Sequence, residues 1–207
     1  MKHAAILAAA LLLPPAALAS DLDALVAKVV DAHGGAAAWS KVTRIEATGK
    51  VSPAMRKGDG AMTRTWNGND NLRVEIAYPD KTEVRALENG KGTNNGRESN
   101  AMELAAMRLQ AARMALPQLL LTHKASLRAV DAHTIEVPLD AGLTVTVEID
   151  PATGRIVKSA GRSGEMAFST AYGDYRKVGG VLVAFHEENN AMGMKTADID
   201  LEKVEIR

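Results

Sequence analysis

From Arg44 to the C-terminus, apolar and polar residues alternate one by one over several stretches of the chain. The alternation is clearest in residues 45–51, 72–78 and 143–149, and glycine, asparagine and proline separate these stretches from their neighbours. Successive side chains of a β-strand point to opposite faces of a sheet, so this pattern predicts strands with one buried and one solvated face. Antiparallel sheets are built this way, whereas parallel sheets are buried on both faces. The sequence therefore predicts a mainly β protein of the α+β class.

The stretch over residues 72–78 and the one that follows it predict a hairpin. To keep apolar residues on one face, we expect Ile76 to lie opposite Val84. The same register places Glu75 opposite Arg85, where an ion pair contributes about 0.2–1 kcal/mol. This pair would set the register of the two strands more than their stability.

Two features locate strands near the C-terminus. The sequence Asp-Pro-Ala-Thr-Gly at residues 150–154 predicts a turn between two strands. In the last strand, the apolar residues step by two from Ile199 to Leu201 and then by three to Val204. An extra residue in one strand of a pair is a β-bulge, so we predict one at Glu202-Lys203.

Near the N-terminus the spacing changes to that of a helix. Apolar side chains over residues 22–33 recur three and four positions apart, which is typical of a helix with one buried face. Gly34 and Gly35 are expected to end it, since glycine adopts left-handed backbone angles at little cost. His33 closes the apolar stripe. We expect it to pack there with partial positive charge, favoured by the negative end of the helix dipole.

A second helix is predicted over residues 100–116, with Pro117 ending it. Its apolar residues are spread nearly all round, with Met102 and Leu109 on one side and Met107 and Met114 on others. A helix of this kind is buried or lies over an apolar cavity. Because methionine adapts to irregular shapes, these residues fit either a core filler or an adaptable hydrophobic site. Both interpretations stay open at this point.

The first residues have the pattern of a secretory leader. Lys2 and His3 precede an apolar run over residues 4–13, and a small-residue sequence ending at Ala19 suits cleavage. The alternative, a membrane-spanning helix, needs about 20 apolar residues, more than this run supplies. We therefore predict a signal peptide over residues 1–19, a single periplasmic domain over residues 20–207 and no transmembrane anchor.

The composition excludes several classes of function. Basic and acidic residues number 25 each, so the chain has no net charge that would favour nucleic acid as a partner. It contains no cysteine, which excludes disulfides, thiol catalysis and thiolate metal sites. The histidines are not spaced as metal ligands, and no Gly-x-Ser-x-Gly motif occurs. We therefore expect no enzyme activity, no metal site and no cofactor.

The sequence His186-Glu187-Glu188 invites an acid–base interpretation. In a strand, however, His186 and Glu188 lie on one face and Glu187 on the other. This separation favours a solvated strand face over a catalytic pair.

Several segments, taken in order, resemble the outer-membrane lipoprotein-sorting family of periplasmic carriers. These are Ala32-His33-Gly34-Gly35, Gly49-Lys50-Val51, Leu72-Arg73-Val74-Glu75-Ile76, Asp150-Pro151-Ala152-Thr153-Gly154, Asp174-Tyr175-Arg176-Lys177-Val178-Gly179-Gly180-Val181 and the closing strand over residues 199–206. The resemblance implies a strongly curved antiparallel half-barrel of about ten or eleven strands. It also implies an N-terminal helix, and a central helix that covers the concave face over a cavity for acyl chains. Aromatic residues are only 3% of this chain, so we expect an aliphatic, methionine-lined cavity.

The resulting hypothesis is a carrier that binds lipid or lipoprotein acyl chains without a covalent step. Each buried methylene contributes about 0.8 kcal/mol, enough for an acyl chain to bind without a specific headgroup contact. The residues expected to line the cavity are Val74, Ile76, Val84, Met102, Met107, Leu109, Met114, Val145, Val147, Phe168, Val183 and Phe185. The alternative hypothesis is a module that binds an envelope protein or senses envelope stress on the same scaffold.

Overall fold

The computed structural model of the chain describes residues 15–139 and 142–207. The helices are α1 (Pro15–Ala32), α2 (Ala36–Trp39), α3 (Ala101–Arg113) and α4 (Leu116–Thr122), with a 3-10 helix at Lys124–Ser126. The strands are β1 (Ile45–Pro53), β2 (Gly60–Trp66), β3 (Leu72–Ala77), β4 (Thr82–Glu88), β5 (Lys91–Asn94), β6 (Arg97–Glu98), β7 (Arg128–Asp131), β8 (Thr134–Pro138), β9 (Thr144–Ile149), β10 (Ile156–Ser163), β11 (Met166–Val178), β12 (Val181–Ala191) and β13 (Met194–Ile206). Residues 1–14 of the predicted leader lie outside the described residues, and residues 15–19 belong to α1.

The thirteen strands form one open, curved antiparallel sheet, which confirms the predicted fold class. Their order is β6-β5-β4-β3-β2-β1-β13-β12-β11-β10-β9-β8-β7. The first and last strands of the chain are therefore neighbours near the middle of the sheet. The strand number exceeds the expected ten or eleven because short strands extend both edges. At one edge β6 has only 2 residues, and at the other every residue of β7 is exposed.

The chain passes from one edge of the sheet to the other through α3 and α4. β6 and β7 are consecutive in sequence but lie at opposite edges, so their connection has to cross a face of the sheet. α3 contacts β4 and β5 on one side and β10 on the other. At Gly161 of β10, an added β carbon would lie 2.6 Å from Leu109 Cδ2, so glycine allows the close approach. The expected central helix thus covers the concave face.

The segment predicted as one helix forms two. Asn100 caps α3, because its side chain accepts a hydrogen bond from the Glu103 backbone N–H at 2.9 Å. The Glu103 carboxylate in turn accepts one from the Asn100 N–H at 2.9 Å, which completes a capping box. α3 ends at Arg113, and Pro117 lies in the first turn of α4 instead of ending a helix. Proline is accommodated there because the first N–H groups of a helix have no intrahelical acceptor.

The predicted register of the β3–β4 hairpin is wrong by one residue. Ile76 lies opposite Glu83, and Val84 lies opposite Glu75. The expected pair of Glu75 with Arg85 is therefore not formed. Since side chains alternate between faces, this shift turns Arg85 toward the concave side and Val84 toward the convex side.

Turn geometry and charge explain the register better than apolar matching does. The Tyr78 backbone N–H donates to the Lys81 carbonyl at 2.9 Å, which closes a turn over residues 78–81. Glu83 then receives Lys81 Nζ at 2.6 Å and Arg56 Nη1 at 3.3 Å. In the register that pairs Ile76 with Val84, Glu83 would point to the opposite face of the sheet, away from Arg56.

The predicted bulge in β13 is confirmed. Thr48 and Gly49 of β1 lie opposite Lys203 and Leu201, so Glu202 is the extra residue. At the bulge the two backbones come close together. A β carbon on Gly49 would lie 2.8 Å from the Leu201 Cα, and glycine is therefore required at this position.

Two hydrophobic clusters fill most of the interior. The first core joins β1–β4, β12 and β13 to α2 and one side of α3, with both tryptophans, Trp39 and Trp66, buried in it. The second core packs α1 and α4 onto β8, β9 and β10. α3 contributes Met107 to the first core and Leu109 to the second, so it lies between them.

His33, just after α1, is buried as predicted, but the expected positive charge is wrong. Its Nδ1 lies 2.8 Å from the Val29 backbone oxygen and donates to it. Burial, with a smaller contribution from the charge of Arg155, lowers the pKa of His33, although the bond to Val29 acts in the opposite direction. Loss of hydration therefore outweighs the helix dipole, and the imidazole is neutral at neutral pH.

We expect the folded protein to lose stability as the pH falls below about 6.5, the ordinary pKa of histidine. In that range the unfolded chain binds a proton at His33 that the folded state resists, so lowering the pH favours unfolding. The stability that neutral His33 contributes is fully present above the ordinary pKa of histidine. It declines as the pH falls toward the lowered pKa of His33 in the folded state. Urea unfolding across this pH range measures how steeply the free energy of unfolding changes with pH. His33→Asn, which keeps a neutral donor near the position of Nδ1, should show a flatter slope, and an unchanged slope would contradict the assignment.

Candidate functional site

A cavity of about 310 Å³ lies between the concave face of the sheet and α3. We call it the sheet–helix cavity. Its apolar wall is formed by Val51, Met62, Val74, Ile76 and Ile199 from the sheet centre, by Phe168 from β11, by Leu109 from α3 and by Met114 just after α3. A smaller cavity of about 60 Å³ shares Arg64, Arg113, Met114, Tyr172 and Glu187 with it. The larger volume is at the lower end of the range of small-molecule sites, about 300–1,000 Å³.

The structure brings part of the predicted lining together. The predicted residues that line the sheet–helix cavity are Val74, Ile76, Leu109, Met114 and Phe168. Val183 lines the smaller cavity. Six of the twelve predicted residues therefore line the two cavities, and they come from β3, α3 and the residue after it, β11 and β12.

Four predicted residues are buried in the cores instead. Met107 and Phe185 belong to the first core, so the core-filler interpretation holds for Met107. Val145 and Val147 belong to the second core, where β9 packs with residues of α1 and α4 and with Leu109 and Ala112 of α3.

Two predicted residues lie away from both cavities. Val84 points to the convex side because of the β3–β4 register. Met102 is 47% exposed, since α3 packs through Ala105, Leu109 and Ala112 and leaves its first turn toward solvent.

The floor of the cavity holds an ion pair that the sequence interpretation missed. Arg64 Nη1 and Nη2 donate to Glu187 Oε2 and Oε1 at 3.0 and 2.5 Å, a bidentate arrangement. Their side chains are only 6% and 13% exposed. Burial alone would raise the pKa of Glu187, but the charge and hydrogen bonds of Arg64, with smaller effects of Arg113 and His186, lower it below its usual value. Both partners are therefore charged.

Strand alternation explains how Glu187 reaches the cavity. On the opposite face of β12, His186 Nδ1 lies 2.8 Å from Asp200 Oδ1, and Glu188 binds Lys195 at 3.2 Å. The predicted separation of His186 and Glu188 from Glu187 is thus confirmed. The solvated face carries the first two, while Glu187 points inward.

Tyr172 adds a neutral polar group beside the ion pair. It lies opposite Glu187 in the β11–β12 register, and its hydroxyl is 2.6 Å from Ser159 Oγ. Burial raises the pKa of Tyr172 to about 12, so the hydroxyl keeps its proton at neutral pH. It can donate a hydrogen bond without adding charge.

Two further arginines line the sheet–helix cavity, Arg85 from β4 and Arg113 from the end of α3. Arg85 Nη2 lies 3.6 Å from Glu83 Oε2, a carboxylate that Arg56 and Lys81 also contact. Arg113 is half-buried and, among the described residues, has no carboxylate within 4.0 Å. The lining thus carries three arginines and one glutamate, together with amides such as Gln110 and Asn189. The arrangement can bind an apolar group along its walls and a charged one beside its arginines.

Comparison of the fold with solved structures gave a clear likeness. A LolA superfamily protein from Nitrosomonas europaea superposes with a TM-score of 0.54 at 11% identity, covering 90% of this chain and 93% of that one. This chain has a LolA-like fold. A DUF1329 family protein from Desulfovibrio piger gives a TM-score of 0.48 at 8% identity, with the same coverage of 90% and 93%. No family model matches the sequence, and the search of curated proteins gave no match.

The likeness confirms, for the fold, the resemblance found in the order of the sequence segments. At 11% identity it carries over no ligand and no site residue. Within the described part of the chain, no helix combines the length and the apolar character needed to cross a bilayer.

The sequence contained signals for the missed residues of the sheet–helix cavity. In β2, Arg64 lies two positions from both Met62 and Trp66, so strand alternation places it on their buried face. Glu187 lies two positions beyond Phe185 in the same way. An inward-facing arginine and an inward-facing glutamate on separate strands suggest a buried pair. Alternation did not reveal Arg113, since its role depends on where α3 crosses the sheet.

Proposed function

We propose that this chain is an exported periplasmic carrier that holds the acyl chain of a lipid or lipoprotein in the sheet–helix cavity. The observation that carries the proposal is the apolar-walled cavity of about 310 Å³ between the sheet and α3. The leader pattern over residues 1–19 supports export, and the LolA-like fold supports a binding role over a catalytic one. Burial of methylene groups, about 0.8 kcal/mol each, supplies the affinity.

The size of the cavity favours one chain over several. Its volume is near the lower limit for small-molecule sites, so a cargo with several acyl chains would need α3 to move outward. The start of α3 is fastened to the sheet edge, because Glu103 binds Arg97 Nη2 at 2.6 Å and Asn94 Nδ2 at 3.2 Å. The other end of α3 lies beside the cavity through Arg113 and Met114.

Organic extraction of the purified protein, followed by mass spectrometry, is expected to release lipid, and the extracted protein should take up a fluorescent fatty acid. Ala106 lies on α3 in the cavity wall, whereas Ala101 on the same helix is exposed. Ala106→Phe is expected to weaken fatty-acid uptake about tenfold, because it displaces at least two methylenes of the ligand. Ala101→Phe is the matched control and should bind normally. Absence of extracted lipid together with absence of uptake would overturn the proposal.

A second candidate function, binding of an envelope protein, is favoured by a group of exposed methionines. Met55, Met192 and Met194 are 81%, 50% and 61% exposed. The Ala54 N–H donates to the Thr196 carbonyl at 2.9 Å, which brings the β1–β2 loop beside the β12–β13 hairpin. Exposed apolar side chains grouped at one end of a sheet are typical of an interaction site. A pull-down from envelope extract with lipid-free protein tests it, and loss of the captured protein with Met192→Gln and Met194→Gln is the supporting result.

A further inference from the structure

The sheet–helix cavity has an unbalanced charge for an apolar-walled site. Among the described residues its lining holds one carboxylate, that of Glu187, which uses both oxygens to bind Arg64. That pair is electrically neutral. The positive charges of Arg85 and Arg113 are left without an equal number of negative charges in the lining.

Nearby acidic residues correct this imbalance only in part, since Glu83 pairs with Arg85 and Asp80 pairs with Arg56. Glu83 is the carboxylate nearest to Arg85, but Lys81 and Arg56 contact it at 2.6 and 3.3 Å, closer than Arg85 at 3.6 Å. Arg113 forms no ion pair within 4.0 Å among the described residues. Its charge reaches the cavity floor, where it contributes to lowering the pKa of Glu187. A half-buried guanidinium without a counter-charge is unfavourable unless water or a ligand solvates it.

We propose that the sheet–helix cavity binds an amphiphile with an anionic head, a carboxylate or a phosphate, with Arg113 as the main anchor and Arg85 as the second. The inference rests on the proposed function and names the class of its ligand. The planar guanidinium presents a fork of N–H donors that matches both carboxylate and phosphate oxygens. The tail lies along the apolar wall, which Val74 and Ile76 form together with Leu109 of α3 and Met114 just after it.

The other polar groups of the lining also suit an anion. Gln110 and Asn189 line the site and provide amide N–H donors. Tyr172 adds no negative charge, since its hydroxyl keeps its proton. Glu187 is held by Arg64, so its charge is already matched before a ligand enters. A cationic head would instead be placed beside Arg113, which forms no ion pair among the described residues, and beside Arg85, which shares the Glu83 carboxylate with two other cations.

Calorimetric titration of the lipid-free full chain with probes of equal tail length tests the proposal. The probes are decanoate, decyl phosphate, decan-1-ol and decyltrimethylammonium. We expect at least one anionic probe to bind about tenfold or more tightly than decanol, because a charge-assisted hydrogen bond is lost with the alcohol. The cationic probe should bind most weakly. Comparing the affinities for decanoate and decyl phosphate shows whether the anionic head is that of a fatty acid or of a phosphorylated lipid.

Variants separate a binding role of Arg113 from a structural one. Arg113→Gln is expected to lower the affinity for the preferred anion about tenfold while leaving decanol binding unchanged. Arg113→Lys should restore part of the preference for the anion over decanol, since lysine keeps the positive charge but lacks the forked N–H donors of the guanidinium. Arg73→Gln on the exposed face is the matched control and should bind like the unaltered chain.

The outcomes distinguish the two proposals. Equal binding of decanol and both anions, or an anion preference that survives Arg113→Gln, overturns the inference and leaves the carrier function standing. Failure of every probe to bind overturns the carrier function and the inference with it.

Discussion

Replacing Arg64 with methionine is expected to destabilise the protein by about 3–5 kcal/mol, because it leaves the Glu187 carboxylate buried without its partner. The two side chains are 6% and 13% exposed, so solvent does little to compensate. Both hydrogen bonds of the pair are lost, at 3.0 and 2.5 Å. Urea unfolding at neutral pH measures the difference in the free energy of unfolding.

The double variant Arg64→Met with Glu187→Met distinguishes the ion pair from simple packing. A buried pair replaced by apolar side chains of similar volume is often neutral or stabilising, because the desolvation penalty of both charges disappears. We therefore expect the double variant to be more stable than Arg64→Met alone. If the double variant lost the sum of the free energies that the two single variants lose, Arg64 and Glu187 would not be energetically coupled.

The pH dependence of Arg64→Met has a defined sign. Without Arg64, burial dominates and raises the folded-state pKa of Glu187 above its value in the unfolded chain. The folded state then binds more protons than the unfolded one, so the stability of the variant falls as the pH rises through that raised pKa. In the unaltered chain the pKa of Glu187 is lowered, and the same group loses its contribution as pH falls instead. If the free energy of unfolding changed with pH in opposite directions in the two proteins, the result would confirm that Arg64 keeps Glu187 charged.

Local alternation was sufficient to predict the sheet and some of its irregularities. The step from Leu201 to Val204 marked the bulge at Glu202 because a strand has a fixed period of two. It was insufficient for the β3–β4 register, where a turn over residues 78–81 and the cations around Glu83 decide the pairing. Apolar matching is one contribution to register among several.

The candidate site was harder to predict because it depends on long-range placement. Val145 and Val147 alternate as well as Val74 and Ile76 do, yet only the second pair lies in the cavity wall. The difference comes from which helix covers which strand, and this follows from the crossing of α3 and α4 between the sheet edges. Sequence periodicity gives the face of a residue but not what covers that face.

The junction between the first and last strands is the second place where one substitution should have a large effect. A β carbon on Gly49 would lie 2.3 Å from the Asp200 backbone oxygen and 2.8 Å from the Leu201 Cα. Backbone atoms in the middle of a sheet cannot move aside as a flexible side chain can. Gly49→Ala is therefore expected to destabilise the protein by about 3 kcal/mol. This is the upper end of the typical cost of inserting an extra group into a well-packed site.

Gly173→Ala in β11 is the matched control. Its β carbon would lie 3.7 Å from the nearest side-chain atom, in His186, an ordinary contact. With no clash to relieve, alanine should change the stability by less than about 1 kcal/mol, in the stabilising direction. Thermal unfolding of the two variants measures the contrast, and similar losses in both would show that crowding at Gly49 is not the cause.

The Gly49 substitution also links the fold to ligand binding. Val51 and Ile199, which lie opposite each other just beyond the bulge, both line the sheet–helix cavity. Separating β1 from β13 at Gly49 would widen that wall and reduce its contact with an apolar tail. We therefore expect Gly49→Ala, measured well below its unfolding temperature, to bind a fluorescent fatty acid more weakly than Gly173→Ala does. Equal binding by the two variants would show that the β1–β13 junction does not shape the cavity wall.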